Sequence, residues 1–428
     1  MEQLVERSKK VLIGNYARLS IVMTRGQGAH LWDASGKHYL DLFAGFGGAI
    51  LGHCHPALVA AATEQAGKLW HVGNTFYTEP QLELAERLNR HAFEGQAFFC
   101  HSGAEANEAA VKLARLRGAE SSPRRWKIIS LNKSFHGRTL AMIAATGNPG
   151  VKAGFDPMVP GFVQVDGGDF DKLAAAVDDE TAGIIIEPIQ GEGGINHFPS
   201  DYLPRIRKLC DERGLTLIFD EVWTGCGRTG RWFCHQWEGS GFGVQGSGNA
   251  GGKTGTGTVS SSSLNPEPQT LNPSVQPDIM TLGKAVGGGL PVGVMYARPH
   301  VAKLLVPGKH GCTLGGNPIC MNVSRTIFDV IEREKLLQHA AALGEIAIAR
   351  LRSEQSIKAK VAEVRGRGLF LGIELKEEPQ KLVEKGLERG ILINLTAKKV
   401  IRLAPPINIG QDEWERGLGL VIETIAAA

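Results

Sequence analysis

The stretch TLGKAVGGGLPVG at residues 281–293 places one lysine, Lys284, after a short apolar run and shortly before the consecutive glycines 287–289. An amine beside glycines suggests anion binding, because such loops let backbone N–H groups approach a phosphate while the lysine adds charge. The spacing rejects that use. A nucleotide-binding loop needs G-x-x-x-x-G-K-[ST], and here the glycines follow the lysine. GSGNAGGKTGTG at 246–257 comes closer, but Ser247 stands where the first glycine belongs and no strand precedes it. Lys284 is therefore either an ordinary surface lysine or an amine used as a nucleophile.

Other reactive side chains follow apolar runs that read as strands, and ligands of open α/β sheets bind beyond the carboxyl ends of strands. After AFFC come Ser102, Gly103, Ala104 and Glu105, a capping box on a helix start whose free N–H groups suit a phosphate. Capping alone also explains Ser102 and Glu105. After WKIISLNKS come Phe135, His136, Gly137 and Arg138; the aromatic suits a flat ring and the guanidinium a carboxylate. Glu187 and Glu192 follow GIII, and Asp220 follows LTLIF. Asp220 either caps the next turn or pairs with a protonated heterocyclic nitrogen. Together, an amine, a phosphate site, a stacking ring, an acid for a ring nitrogen and an arginine for a carboxylate describe a site for pyridoxal 5'-phosphate.

The elements that must position these groups alternate between apolar strands and helical patterns. Strand-like runs are AFFCHS (97–102), WKIISL (126–131), AGIIIEPI (182–189), LTLIFDEV (215–222) and VGVMYA (292–297), with helical patterns between several of them. Continuous apolar strands separated by helices predict an α/β domain with a parallel sheet covered on both faces. From about residue 325 onward, long amphipathic helices surround short strands such as GLFLGIEL (368–375), which predicts a smaller α+β domain. The expected division is an N-terminal segment 1–80, a large domain 81–330 and a small domain 331–428. From Gly239 to about Ser274 the sequence is mostly Gly, Ser, Thr, Asn and Pro. Val-Gln occurs at 244–245 and again at 275–276, just before PDIM, as though 246–276 were a disordered insertion.

At 428 residues, 43% hydrophobic and 21% charged, the chain has core enough for an enzyme. A net charge of +3 without a long basic block gives no reason to expect nucleic acid or membrane as partner. No apolar run approaches a membrane span and MEQLVERSKKVLIGNY lacks a secretory core, so a cytoplasmic protein is expected. The seven cysteines form no C-x-x-C pair, which fits reduced thiols. GHCHP at 52–56 has no second ligand cluster, and no metal is expected.

The ordered motifs SGAEANEAA, FHGRT, EPIQGEGG, FDEVWTGCGRTG, TLGKAVGGGLPVG and HGCTLGGNP resemble those of the class III aminotransferases, over nearly the whole chain. NYARLSIVMTRGQGAHLWDASGKHYLDL, GNTFYTEPQLELAERL and VIRLAPPINI look most like the acetylornithine aminotransferase group of arginine biosynthesis. The resemblance implies the fold-type-I architecture, with a mostly parallel seven-stranded sheet, and transfer of an ω-amino group to 2-oxoglutarate. It also implies that Ser102, Gly103 and Ala104 hold the cofactor phosphate, Phe135 stacks on the ring, Asp220 meets its nitrogen and Lys284 forms the Schiff base and moves the proton. Thr313 would reach the cofactor of the other subunit in a homodimer with shared active sites. Arg138 would bind the substrate α-carboxylate and Arg402 the second carboxylate of glutamate, with Glu192 pairing Arg402 otherwise. Two residues depart from the pattern: Trp223 stands where a glutamine is usual near the cofactor ring oxygen, and Cys312 where a serine is usual beside the substrate. Phe46 replaces a substrate-contacting tyrosine of ornithine aminotransferases. Ornithine, succinylornithine and 4-aminobutyrate are the alternative donors.

Overall fold

The structure, a computed structural model, describes residues 2–237 and 275–427. Of the expected insertion 246–276, only Val275 and Gln276 fall among the described residues, and both belong to the folded protein. Val275 is buried in a core cluster, and the Gln276 side-chain oxygen accepts from Arg298 Nη2 at 2.7 Å.

Strands β1 (Met23–Gln27), β2 (His30–Asp33) and β3 (His38–Asp41) form a small antiparallel sheet near the N-terminus. The central sheet contains β4 (Gln96–Cys100), β5 (Lys127–Leu131), β6 (Phe162–Val165), β7 (Thr181–Ile186), β8 (Thr216–Asp220), β9 (Ile279–Leu282) and β10 (Gly293–Ala297), in the order β4-β10-β9-β8-β7-β5-β6. Period-2 alternation gives the sheet two apolar faces. Ile128, Ile185, Ile218 and Ile279 pack with Ala109, Ala110 and Leu113 of the helix Gly103–Gly118. Ile129, Ile184, Ile186, Leu217 and Phe219 pack on the other face with Leu203, Ile206 and Cys210 of the helix Tyr202–Arg213. Each isoleucine fully buried this way contributes about 1.5–3 kcal/mol. Gly214, left-handed at φ 65°, ends that second helix and turns the chain into β8.

The run VGVMYA, expected within a parallel sheet, forms β10, which is antiparallel to both β4 and β9. The physical reason is the connection: β9 ends at Leu282 and β10 starts at Gly293, too short a gap for the crossover helix that parallel neighbours require. The remaining neighbours in the sheet are parallel.

Beyond residue 330, β11 (Val361–Arg367), β12 (Phe370–Leu375), β14 (Asn394–Thr396) and β15 (Val400–Leu403) make a second antiparallel sheet, flanked by the helices Leu336–Ser353 and Gln411–Ala426. The short β13 (Ile391–Leu392) leaves this region and pairs in parallel with β3, so the last third of the chain completes the N-terminal sheet. No helix of the described residues is long and apolar enough to cross a membrane.

Candidate active site

Neighbouring strands of the central sheet deliver their following residues to one edge. Asp220 is the last residue of β8, Glu187 follows β7, Phe135 follows β5, Ser102 follows β4, and Lys284 lies just past β9.

Asp220 is buried, and both of its carboxylate oxygens accept hydrogen bonds. Oδ2 accepts from Asn107 Nδ2 and from His136 Nδ1, both at 2.8 Å, and Oδ1 accepts from the Val222 N–H at 3.1 Å. Asn107 is itself fixed, donating to the His136 carbonyl at 2.8 Å and accepting from Thr281 Oγ1 at 2.6 Å. Such a network makes a buried carboxylate affordable and holds it in one orientation. A turn cap would need only the Val222 contact; Asn107 and His136 hold the carboxylate beyond that role. His136 Nε2 is buried with no partner.

Glu187 lies beside this network and accepts from the Phe135 N–H at 2.8 Å and the Gly191 N–H at 3.0 Å. Burial pushes its carboxyl up to about 7; neighbouring Asp220 adds to the rise and His136 opposes it. Glu187 thereby positions the Phe135 backbone. The Phe135 ring is half-buried, with the exposed Arg138 guanidinium 5.5 Å from its centroid.

Lys284 opens a one-turn helix, Lys284–Gly287, in left-handed backbone at φ 46°. A non-glycine residue held there stores strain of about 1–3 kcal/mol, a feature of functional sites. Its Nζ lies 3.7 Å from the centroid of the Trp223 ring, and the Arg402 guanidinium lies 4.0 Å from the same ring. Burial lowers the Lys284 amine to about 8; the Glu192 carboxylate opposes this and Arg402 adds to it. Arg402, on β15, is almost wholly buried and donates to the Gly191 carbonyl at 3.0 Å and to Asn394 Oδ1 at 2.7 Å. Burial lowers it to about 10, while Glu192, its partner at 3.3 Å, holds it up. Trp223 Nε1 is buried without a partner, and the indole packs between Phe43, Phe46 and Phe370.

Ser102 caps the helix Gly103–Gly118, its Oγ accepting from the Glu105 N–H at 3.2 Å and donating to Glu105 Oε2 at 2.9 Å. A Cβ on Gly103 would meet both Val222 methyls at 2.6 Å, so only glycine lets the helix start close against the segment after β8. Cys312 is half-buried with its Sγ 3.4 Å from His101 Nδ1, and burial raises its thiol. Thr313 is exposed and lies by a small cleft with Asn74 and Gln81; among the described residues its side chain makes no hydrogen bond to this cluster.

The structure thus gathers Lys284, Trp223, Glu192 and Arg402 into one group, places Asp220 and Glu187 within electrostatic reach of Lys284, and sets Phe135 with Arg138 alongside. Asn107 and Thr281 were not singled out in the sequence, and His136 was given no role. Asn107 lies four residues after Gly103, one helical turn on and so on the same face; that spacing was the available signal.

The model of the aminotransferase class-III family matches residues 13–245 and 269–425, with a break between. The chain is similar to the acetylornithine aminotransferase of Aquifex aeolicus, 40% identical over 415 residues, covering 97% of this chain and 99% of the relative. It is also similar to ornithine aminotransferase 1 of Staphylococcus aureus, 38% identical and covering 96% of each chain. Among solved structures, the ornithine aminotransferase of Toxoplasma gondii, with partial occupancy of PLP at its active site, superposes with a TM-score of 0.87 at 30% identity, covering 100% of this chain and 94% of that one.

Proposed function

The chain belongs to the class-III aminotransferase family, and from that premise we propose that it moves the ω-amino group of N-acetylornithine to 2-oxoglutarate, using pyridoxal 5'-phosphate, as a homodimer in the cytoplasm. The observation that carries this reading is the Arg402–Glu192 pair at 3.3 Å beside the Lys284 amine. A buried cation with a partly exposed carboxylate on it can be neutralised or released. It suits one pocket that takes a dicarboxylate in one half-reaction and an amine with no second carboxylate there in the other.

The residues present fit the cofactor. Trp223 Nε1 is a buried donor without a partner, in the position where relatives of this pattern carry a glutamine amide. Asp220 is held by Asn107 and His136 in the form that supports a ring cation. Gly103 closes the helix start on Val222, leaving the N–H groups of Gly103 and Ala104 for a phosphate beside Ser102. When bound, the cofactor supplies an electron sink for the carbon that gains or loses the amino group. Lys284 would be the group that holds and moves the proton at the reacting carbon, burial keeping more of the amine in the neutral form that can take one up. Phe135 would cover the cofactor ring, Arg138 would hold the α-carboxylate, and Cys312 would stand beside the substrate. Thr313 completes the site of the partner subunit. Trp70, Phe76 and Tyr77 are exposed aromatics near Asn74, whose side chain holds the Cys312 and Gly315 carbonyls. Exposed aromatic side chains of this kind supply apolar surface that a dimer would cover, which supports the dimer reading.

Single-turnover measurements of each half-reaction test the proposal. Acetylornithine is expected to react faster than ornithine, succinylornithine or 4-aminobutyrate. Arg138→Ala should slow both halves, whereas Arg402→Ala should slow the 2-oxoglutarate half by at least about tenfold more than the acetylornithine half. A preference for ornithine, or equal losses in both halves for both variants, would overturn it.

A further inference from the structure

We propose that His101, Glu105 and Cys312 form a binding site for a thiophilic divalent cation of the zinc class. Among the described residues this is the one group of three or more such ligands whose donor atoms lie within 4.8 Å of one another. The distances are those a metal requires. Bond lengths of about 2.3 Å to sulfur and about 2.0–2.2 Å to nitrogen and oxygen, at tetrahedral angles, put donor pairs about 3.4–3.6 Å apart. His101 Nδ1 stands 3.4 Å from Cys312 Sγ, Glu105 Oε1 3.1 Å from Nδ1, and Sγ 4.0 Å from Oε1. Shifts of a few tenths of an ångström bring all three onto one ion, with the fourth position left to water.

The ligands are also held from behind, as metal ligands are. Glu105 Oε2 accepts from Ser102 Oγ at 2.9 Å and from the His101 N–H at 3.1 Å, which leaves Oε1 to turn toward the ion. The Cys312 carbonyl accepts from Asn74 Nδ2 at 3.0 Å, which fixes the loop that carries the thiol. All three ligands are half-buried within the single chain.

On binding, the thiol gives up its proton to solvent and sulfur bonds the metal. His101 binds through Nδ1 with a proton kept on Nε2, the thiol releases its proton, and no electron moves. The ion then ties the segment bearing Cys312 and Thr313 to the start of the helix at Ser102. The loss of one proton makes the apparent affinity rise about tenfold per pH unit while the thiol is protonated in the free protein.

The test is binding, measured on the cofactor-loaded protein, so it stands apart from whether the transfer reaction is correctly assigned. Competition between the protein and a chromophoric chelator for Zn2+ should give a high-affinity site of one ion per chain. Co2+ should produce a tetrahedral, thiolate-containing difference spectrum. Cys312→Ser should abolish the thiolate feature, and both Cys312→Ser and His101→Gln should weaken Zn2+ by at least about tenfold. Cys54→Ser, at an exposed cysteine outside the cluster, should change neither. Unchanged affinity in His101→Gln, a thiolate feature lost in Cys54→Ser, or no tetrahedral spectrum with Co2+ overturns the site.

Discussion

At Lys284, several effects compete over one proton. Withdrawal from water disfavours the ammonium form, as does Arg402; Glu192, Asp220 and Glu187 favour it. The Trp223 face, 3.7 Å away, also favours the cation, typically by about 0.5–2 kcal/mol. Burial wins, and the amine titrates at about 8 instead of 10.5. The sign follows directly. Between those values the unfolded chain binds a proton that the folded chain does not, so folding stability from this group rises with pH through that window, and the charged amine destabilises the fold below about pH 8. The neutral amine is the nucleophile. Capture of pyridoxal phosphate by the cofactor-free protein is therefore expected to accelerate about tenfold per pH unit up to about pH 8 and then level off. Stopped-flow absorbance would follow it, and Lys284→Ala should remove the visible absorbance altogether. A rate that keeps rising to the ordinary lysine range would show that the amine is not buried.

At the scale of elements, the site depends on how closely the helix Gly103–Gly118 abuts the end of β8. The Val222 methyls would lie 2.6 Å from a Cβ on Gly103, and a short branched side chain cannot swing its methyls clear as a long flexible one would. Gly103→Ala should therefore push the helix start away from Asp220, costing about 1–3 kcal/mol and weakening cofactor retention more than Ala104→Gly does. Thermal melting with and without cofactor would show it; equal behaviour of the two variants would mean the close approach is unimportant. Much of this frame was legible in the chain. Ser102 and Glu105 announced the helix start, and the acid after LTLIF and the lysine after TLG marked two strand ends. The long apolar strands predicted the covered sheet. What local pattern could not reveal were partners distant in sequence. Asn107 meets Asp220 across 113 positions, and Cys312 meets His101 across 211. Neither pairing leaves a periodic trace, because folding topology alone brings them together. The direction of β10 was hidden for another reason: an apolar strand reads alike in either direction, and only the length of its connection decides.

At the scale of the whole molecule, the break in the family match falls after residue 245, at the first of the two Val-Gln pairs. The second pair is structural. Val275 is 1% exposed within the core on one face of the central sheet. The Gln276 carbonyl accepts from Arg207 at 3.4 Å and its side chain from Arg298 at 2.7 Å, just ahead of Asp278, which takes the Arg207 guanidinium at 3.0 Å. Removing 275–276 alone would open the core and take one acceptor from each of Arg207 and Arg298. Rejoining Gln245 to Pro277 does not do this, because it sets Val244 and Gln245 in the same order before Pro277, where Val275 and Gln276 now stand. The removed stretch is rich in Gly, Ser, Thr and Asn and poor in apolar side chains, so its deletion is expected to be tolerated. Closing a shorter loop recovers entropy on the order of 1 kcal/mol. The deletion variant is expected to fold, to bind cofactor as the full chain does, and to melt at the same temperature or a few degrees higher, which calorimetry at matched cofactor would measure. A variant that fails to fold or to hold cofactor would show that residues 246–274 contribute contacts of their own, and that the repeated Val-Gln pair does not mark interchangeable ends.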